Sequence, residues 1–305
     1  MPDTPDVTSP APPKSFFEKL GAAVPVAIAA IATTFAGMST TALSQSMYWR
    51  STAAQDQSKT NDQWTFAGFK RSRSYEAEKT VAELDAIAGY PKVEKGEEAK
   101  EPEQVRKVKA WMGSGEAKPV APPIANENIT AVLQAIHHRK PETVVLTLAR
   151  AVDRDELEKL LNAAFAESLA TEDAWQAESD RARARIETAR KALTAATGPA
   201  RADAVAALTA ARAGQYDIDR RRYRAESTMN QWVGFLTEVR VKTSTATSDR
   251  FRKRSENFFI AMLLGQVGAV VASLALSRKS GGLTATAVLL GTGAVGYGGY
   301  VFLLL

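Results

Sequence analysis

The chain has 305 residues, 39 Lys and Arg against 34 Asp and Glu, a net charge of +5, and no cysteine. The missing cysteines exclude a disulfide framework, a thiolate metal site and a cysteine nucleophile. The two histidines, His137 and His138, are adjacent and diverge on a helix, which excludes a two-histidine site at helical spacing.

Met1 to Pro13 is rich in proline, and residues 1–15 are expected to form a disordered tail. Residues 16–47 predict a first transmembrane helix. Phe16 and Phe17 stand at one end and Tyr48 and Trp49 at the other, as suits the two membrane interfaces. Ala29, Thr33 and Gly37 recur every four residues, the small-xxx-small pattern that lets helices approach closely in lipid. A cleaved signal peptide is the rival reading. The acidic lead-in of Asp3, Asp6 and Glu18 and the lack of a small-x-small cleavage site oppose it.

Residues 48–88 continue as a membrane-proximal helix rich in Ala, Gln, Lys and Glu, and Gly89-Tyr90-Pro91 breaks it. Residues 89–125, dense in Pro, Gly, Lys and Glu, are expected as a flexible linker carrying one short helix around Val105 to Met112. Residues 126–170 predict a small helical tip. Ile129, Val132, Leu133 and Ile136 form one apolar face, and Pro141 starts a helix over Val144, Val145 and Leu148. A strand over Val144 to Leu148 is the alternative, without an evident partner strand. Asp153 with Glu156 makes a capping-box-like start for the next helix.

Residues 171–257 predict antiparallel coiled-coil helices. Trp175, Ala182, Ile186, Ala189, Leu193 and Ala196 fit a and d positions of a heptad. Gly198-Pro199 ends that helix and starts another, which lacks proline from Ala200 to the last residue. Trp64 and Trp232 close two similar stretches, Asn61-Asp62-Gln63-Trp64 and Met229-Asn230-Gln231-Trp232, at similar distances from apolar segments. That symmetry predicts that they pack on each other in an antiparallel helix pair.

Residues 258–305 predict a transmembrane hairpin. Phe258 to Leu276 and Leu283 to Leu305 are charge-free, and each matches the roughly 20 residues needed to span a bilayer. Arg278-Lys279-Ser280-Gly281-Gly282 is the turn. Gly265, Gly268 and Ala272 line one face of the first helix; Gly291, Gly293, Gly296, Gly298 and Gly299 crowd the second. Close helix packing is expected there, at Gly291 and Gly298 among others, with an interhelical hydrogen bond from Gln266. The hairpin lacks intramembrane carboxylates, histidines and arginines, which argues against a pump or coupled transporter.

Arg250, Arg252, Lys253 and Arg254 precede the hairpin and suit anchoring at an anionic membrane surface, at about 1 kcal/mol each. Basic residues flanking the apolar segments favour a cytoplasmic middle region in a multi-pass protein of the inner membrane. Arg220, Arg221, Arg222 and Arg224 are interrupted by acids, so helix-surface salt bridging is expected and nucleic-acid binding is not. The sequence contains no phosphate loop, nucleophile elbow, metal-ligand cluster or dinucleotide fingerprint, and its carboxylates read as solvated helix faces.

Met47-Tyr48-Trp49, Ala53-Ala54-Gln55-Asp56-Gln57, Asp62-Gln63-Trp64 and Val270-Val271-Ala272-Ser273-Leu274-Ala275-Leu276-Ser277-Arg278-Lys279 carry a resemblance. Over about half the chain, at its apolar ends, the sequence resembles the bacterial membrane family called domain of unknown function 4337. The resemblance implies topology and bacterial origin, without an activity. The expectation is an all-α membrane protein with three transmembrane helices and a long helical or coiled-coil extramembrane region. It is read as a non-enzymatic scaffold or accessory protein without cofactor or metal. Membrane lipids, further copies of itself, and another membrane or cytoplasmic protein are the expected partners. An oligomeric channel is the alternative.

Overall fold

The computed structural model describes residues 16–88, 101–115, 117, 120–278 and 280–304. The expected disordered tail and residues 89–100 of the expected linker lie outside the described residues. All described secondary structure is helical: α1 Phe16–Ala88, α2 Glu103–Met112, α3 Glu127–His137, α4 Glu142–Ala149, α5 Arg154–Ala195, α6 Ala200–Arg278 and α7 Gly281–Leu304. Three of them, within Ala23–Leu84, Ala200–Arg278 and Gly281–Leu303, are long and apolar enough to cross a membrane.

Local chemistry sets the shorter helices. Asn126 caps α3 by accepting from the Ile129 N–H at 3.0 Å. Asp153 caps α5 by accepting from the N–H groups of Asp155 and Glu156 at 2.9 and 3.1 Å. The Glu156 carboxylate accepts from the Asn126 amide, tying two helix starts together. Val144 to Leu148, the ambiguous run, lies in α4 behind Pro141, whose fixed φ suits a helix start. Gly198, at φ +61°, makes the turn from α5 into α6, a conformation that glycine adopts without steric cost.

The chain forms two compact units: Met1–Trp49 with Thr247–Leu305, and Arg50–Ala246. The first, apolar unit packs α6 antiparallel to α1, with α7 beside both. Its core comprises Phe35, Phe258, Ala261, Ala294 and Val301, with a second cluster of Ile28, Ala272 and Ala287. The second unit has its own core, in which Val105, Val108 and Trp111 of α2 join Ile129, Leu133, Leu157, Leu161, Met229, Trp232 and Leu236.

Two expected boundaries change. The described part of segment 89–125 is more than a linker, because α2 turns Val105, Val108 and Trp111 onto one face and buries it to 1% exposure or less. The division at residue 170 also disappears. With no glycine or proline between Arg154 and Ala195, α5 runs through it as one 42-residue helix.

Candidate functional site

Buried positions in α1 advance by alternating steps of four and three residues. Ile28, Ala32, Phe35, Ser39, Ala42 and Ser46 begin the series. Ala53, Asp56, Thr60, Ala67, Ser74 and Ala77 continue it, with half-buried Trp49, Gln63, Lys70, Val81 and Leu84 filling the intervening steps. In α7 the same spacing selects Ala287, Gly291, Ala294, Gly298 and Val301. A four-three alternation keeps one face turned to a neighbouring helix over many turns.

In the apolar unit this face is built from small residues. A Cβ at Gly265 would lie 2.9 Å from the Ala32 Cβ, and one at Gly268 would lie 3.3 Å from Ile28 and 3.2 Å from Leu290. Gly291 leaves room for Ile28, and a Cβ at Gly298 would overlap the Phe35 ring. Ala272 is buried in the same seam. These five sequence-selected positions therefore lie at helix contacts within the unit.

Hydroxyl pairs lock the register. Ser39 Oγ donates to the Ser255 carbonyl at 3.0 Å, and Ser255 Oγ donates back to the Ser39 carbonyl at 2.9 Å. Ser248 Oγ donates to the Ser46 carbonyl at 2.8 Å. The Tyr297 hydroxyl donates to Asn257 at 2.9 Å, joining α7 to α6. Apolar surroundings make such bonds costly to leave unmade.

Other small residues point elsewhere. Ala29, Thr33 and Gly37 are exposed, as are Gly293 and Gly296, and among the described residues no other group approaches a Cβ at any of the three glycines within 4 Å. The small-xxx-small row of α1 is thus not its packing face within the chain; Ile28, Ala32 and Phe35 take that role. Gln266 falls between buried Gly265 and Gly268, is exposed, and makes no hydrogen bond among the described residues. The interhelical bond expected of Gln266 is supplied instead by serines and Tyr297.

The four basic residues within α6 that precede its apolar end, Arg250, Arg252, Lys253 and Arg254, also divide. Arg252 is 63% exposed and stands 3.9 Å from Asp249 and 4.0 Å from Glu256. Lys253 is exposed. Arg254 folds back onto α7. It donates to the Phe302 carbonyl at 3.1 Å and lies 5.6 Å from the Phe302 ring centre. There it offsets the negative end of the helix dipole and supplies a carbonyl partner. Arg250 also has interactions within the structure.

In the second unit Trp64 and Trp232 occupy the antiparallel pair α1 and α6, but their rings separate. Trp64 lies against the bare backbone of Gly234 and packs edge-on to Phe235 at 5.0 Å. Trp232 packs edge-on to Trp111 at 5.4 Å. The α2 tryptophan therefore takes the place that pairwise symmetry gave to Trp64.

Several carboxylates prove buried rather than solvated. Asp56 is 4% exposed and receives Arg240 Nη2 at 2.7 Å, while Arg240 Nη1 reaches Glu158 at 3.1 Å. Glu226, also 4% exposed, pairs with Lys70 of α1 and with Arg222 at 2.6 Å. Arg222 reaches on to Gln176 of α5 at 2.6 Å. These pairs couple α1, α6 and α5 and fix their registers. Removing one partner of a buried pair typically costs about 3–5 kcal/mol. The legible signal was position, since Asp56 falls on the four-three series that starts at Ile28.

Arg220 and Arg221 pair with Asp217 at 2.6 and 2.7 Å, and Arg224 stands 3.4 Å from Glu78, which is salt bridging along and between helices. No group of three or more metal-ligating side chains occurs among the described residues. No family model, curated protein or solved structure matches this chain.

Proposed function

We propose that this protein is a non-enzymatic, membrane-anchored helical scaffold. It associates with copies of itself through the outward small-residue faces of its apolar helices and offers its polar helical unit to partner proteins. The observation that carries this reading is the unfilled row of Ala29, Thr33 and Gly37 on α1, with Gly293 and Gly296 on α7. Small residues on a lipid-facing helix leave a groove that a second helix fills through close backbone approach. Gln266 supports the same reading, because an amide facing hydrocarbon without a partner is costly and a second copy can supply one.

Coiled-coil packing belongs to this proposal, supported by the four-three spacing of buried positions along α1. The polar unit suits a docking role because it has its own apolar core and buried ion pairs, which favour one rigid arrangement.

Native mass spectrometry of the protein, extracted gently from its own membrane, tests the proposal. A homo-oligomer, alone or with a stoichiometric second protein, is the expected result. A bare monomer would overturn it. A closed ring of four or more copies would move an oligomeric channel ahead and make ion flux in liposomes the next measurement.

A further inference from the structure

A cleft of about 340 Å³ opens in the polar unit where α1, α2 and α6 meet. That is within the size range of small-ligand sites. Arg71, Ser74 and Tyr75 of α1 form one wall, Lys109 and Met112 of α2 another, and Arg224, Ser227, Thr228 and Gln231 of α6 the third. Three cations thus converge, and no carboxylate lines the space among the described residues.

Ordinary structural duty accounts for the hydroxyls. Ser74 donates to the Arg220 carbonyl at 3.0 Å, Ser227 to that of Ala67 at 2.8 Å, and Thr228 to that of Arg224 at 3.0 Å. Gln231 donates to Ser227 at 3.3 Å. These bonds fix the floor of the cleft. The cations have no comparable use. Arg71 is exposed and makes no ion pair or hydrogen bond among the described residues. Among the described residues Arg224 and Lys109 have only long rim contacts, 3.4 Å to exposed Glu78 and 3.6 Å to half-buried Glu101. Such solvent-screened pairs are worth little. The Arg220, Arg221 and Arg222 side chains, by contrast, are committed to carboxylates at 2.6–2.7 Å.

We infer that this cleft binds a small molecule bearing a phosphomonoester or pyrophosphate group. Two guanidinium forks and an ammonium match a multiply charged oxyanion better than a single carboxylate. Tyr75, 61% exposed, and Met112 offer apolar surface to the carbon part of the ligand. Either a soluble phosphate compound or a phosphomonoester lipid headgroup has the required chemistry.

The test uses the full chain in two settings. In dodecyl maltoside, sodium pyrophosphate is titrated calorimetrically. In nanodiscs of phosphatidylcholine, with or without phosphatidic acid, hydrogen exchange is followed over residues 224–231. Saturable heat identifies a soluble ligand, and protection that needs phosphatidic acid identifies a headgroup; either supports the site. In each case Arg71→Ala and Lys109→Gln are expected to weaken binding about tenfold, the scale of one charge-assisted hydrogen bond. Arg181→Ala, on an exposed face of α5, leaves it unchanged. Arg71 is exposed, so its truncation leaves the fold intact, which circular dichroism verifies. Absence of both signals overturns the inference, as does a signal that Arg71→Ala and Arg181→Ala reduce equally.

Discussion

Arg139 holds a backbone conformation that its side chain disfavours, at φ +51°. It follows the C-terminus of α3, where the Lys140 N–H donates to the Ala135 carbonyl at 2.9 Å and the Arg139 N–H to that of Ile136 at 3.0 Å. Those two bonds are the paired closure of a Schellman motif, in which glycine is the usual residue at this point. The left-handed conformation costs a side-chain-bearing residue about 1–2 kcal/mol, and glycine returns part of that as chain entropy on folding. Arg139→Gly is therefore expected to stabilise the polar unit by about 0.5–1 kcal/mol. Gly198→Ala, at φ +61°, should lose a comparable amount. Thermal unfolding in detergent measures both; a lower melting temperature for Arg139→Gly would refute the assignment.

Between elements, the residues that carry the assembly are those whose type hides their burial. Two helix starts were legible, because Pro141 and Asp153 act locally and need no tertiary context; the Asn126 cap went unread. The Gly265, Gly268 and Ala272 face was legible too, since only small residues admit such close contact. The packing face of α1 was not, because spacing by four marks Ala29, Thr33 and Gly37 as readily as Ile28 and Ala32. Only the longer four-three series separates the two rows, and it runs through Ser39, Asp56 and Lys70, which composition assigns to solvent. The core role of α2 stayed hidden because ten residues among prolines and lysines resemble a linker until Trp111 meets Trp232. Glu238 of α6 shows what such placement does to ionisation. Burial pushes its carboxyl above the ordinary carboxylate range, and Lys242 only partly opposes this. A carboxyl that binds its proton more tightly when folded contributes stability at low pH, lost as pH rises through the raised folded value. Glu238→Gln should accordingly raise the melting temperature at about pH 8 and match the parent protein near pH 3, where both side chains are neutral. A lower melting temperature for the variant at the alkaline end would show that the charged form is favoured instead.

At the scale of the whole molecule, the two kinds of glycine in α7 separate folding from assembly. Gly298 faces Phe35 within the apolar unit, whereas Gly296 faces no neighbour among the described residues. Gly298→Ile forces a branched side chain into the Phe35 ring and should disrupt the three-helix packing, seen as a lower melting temperature and loss of compactness. Gly296→Ile meets open space, so the chain should fold and melt as before while the proposed self-association groove is filled. Gln266→Leu removes the unpaired amide and should likewise spare the fold and weaken association, by about 1 kcal/mol if one interhelical hydrogen bond is lost. Native mass spectra and melting curves of the three variants distinguish the two levels. If Gly296→Ile and Gln266→Leu both kept the parent oligomer, the outward small-residue face would be a lipid contact, and self-association would have to arise in the polar unit.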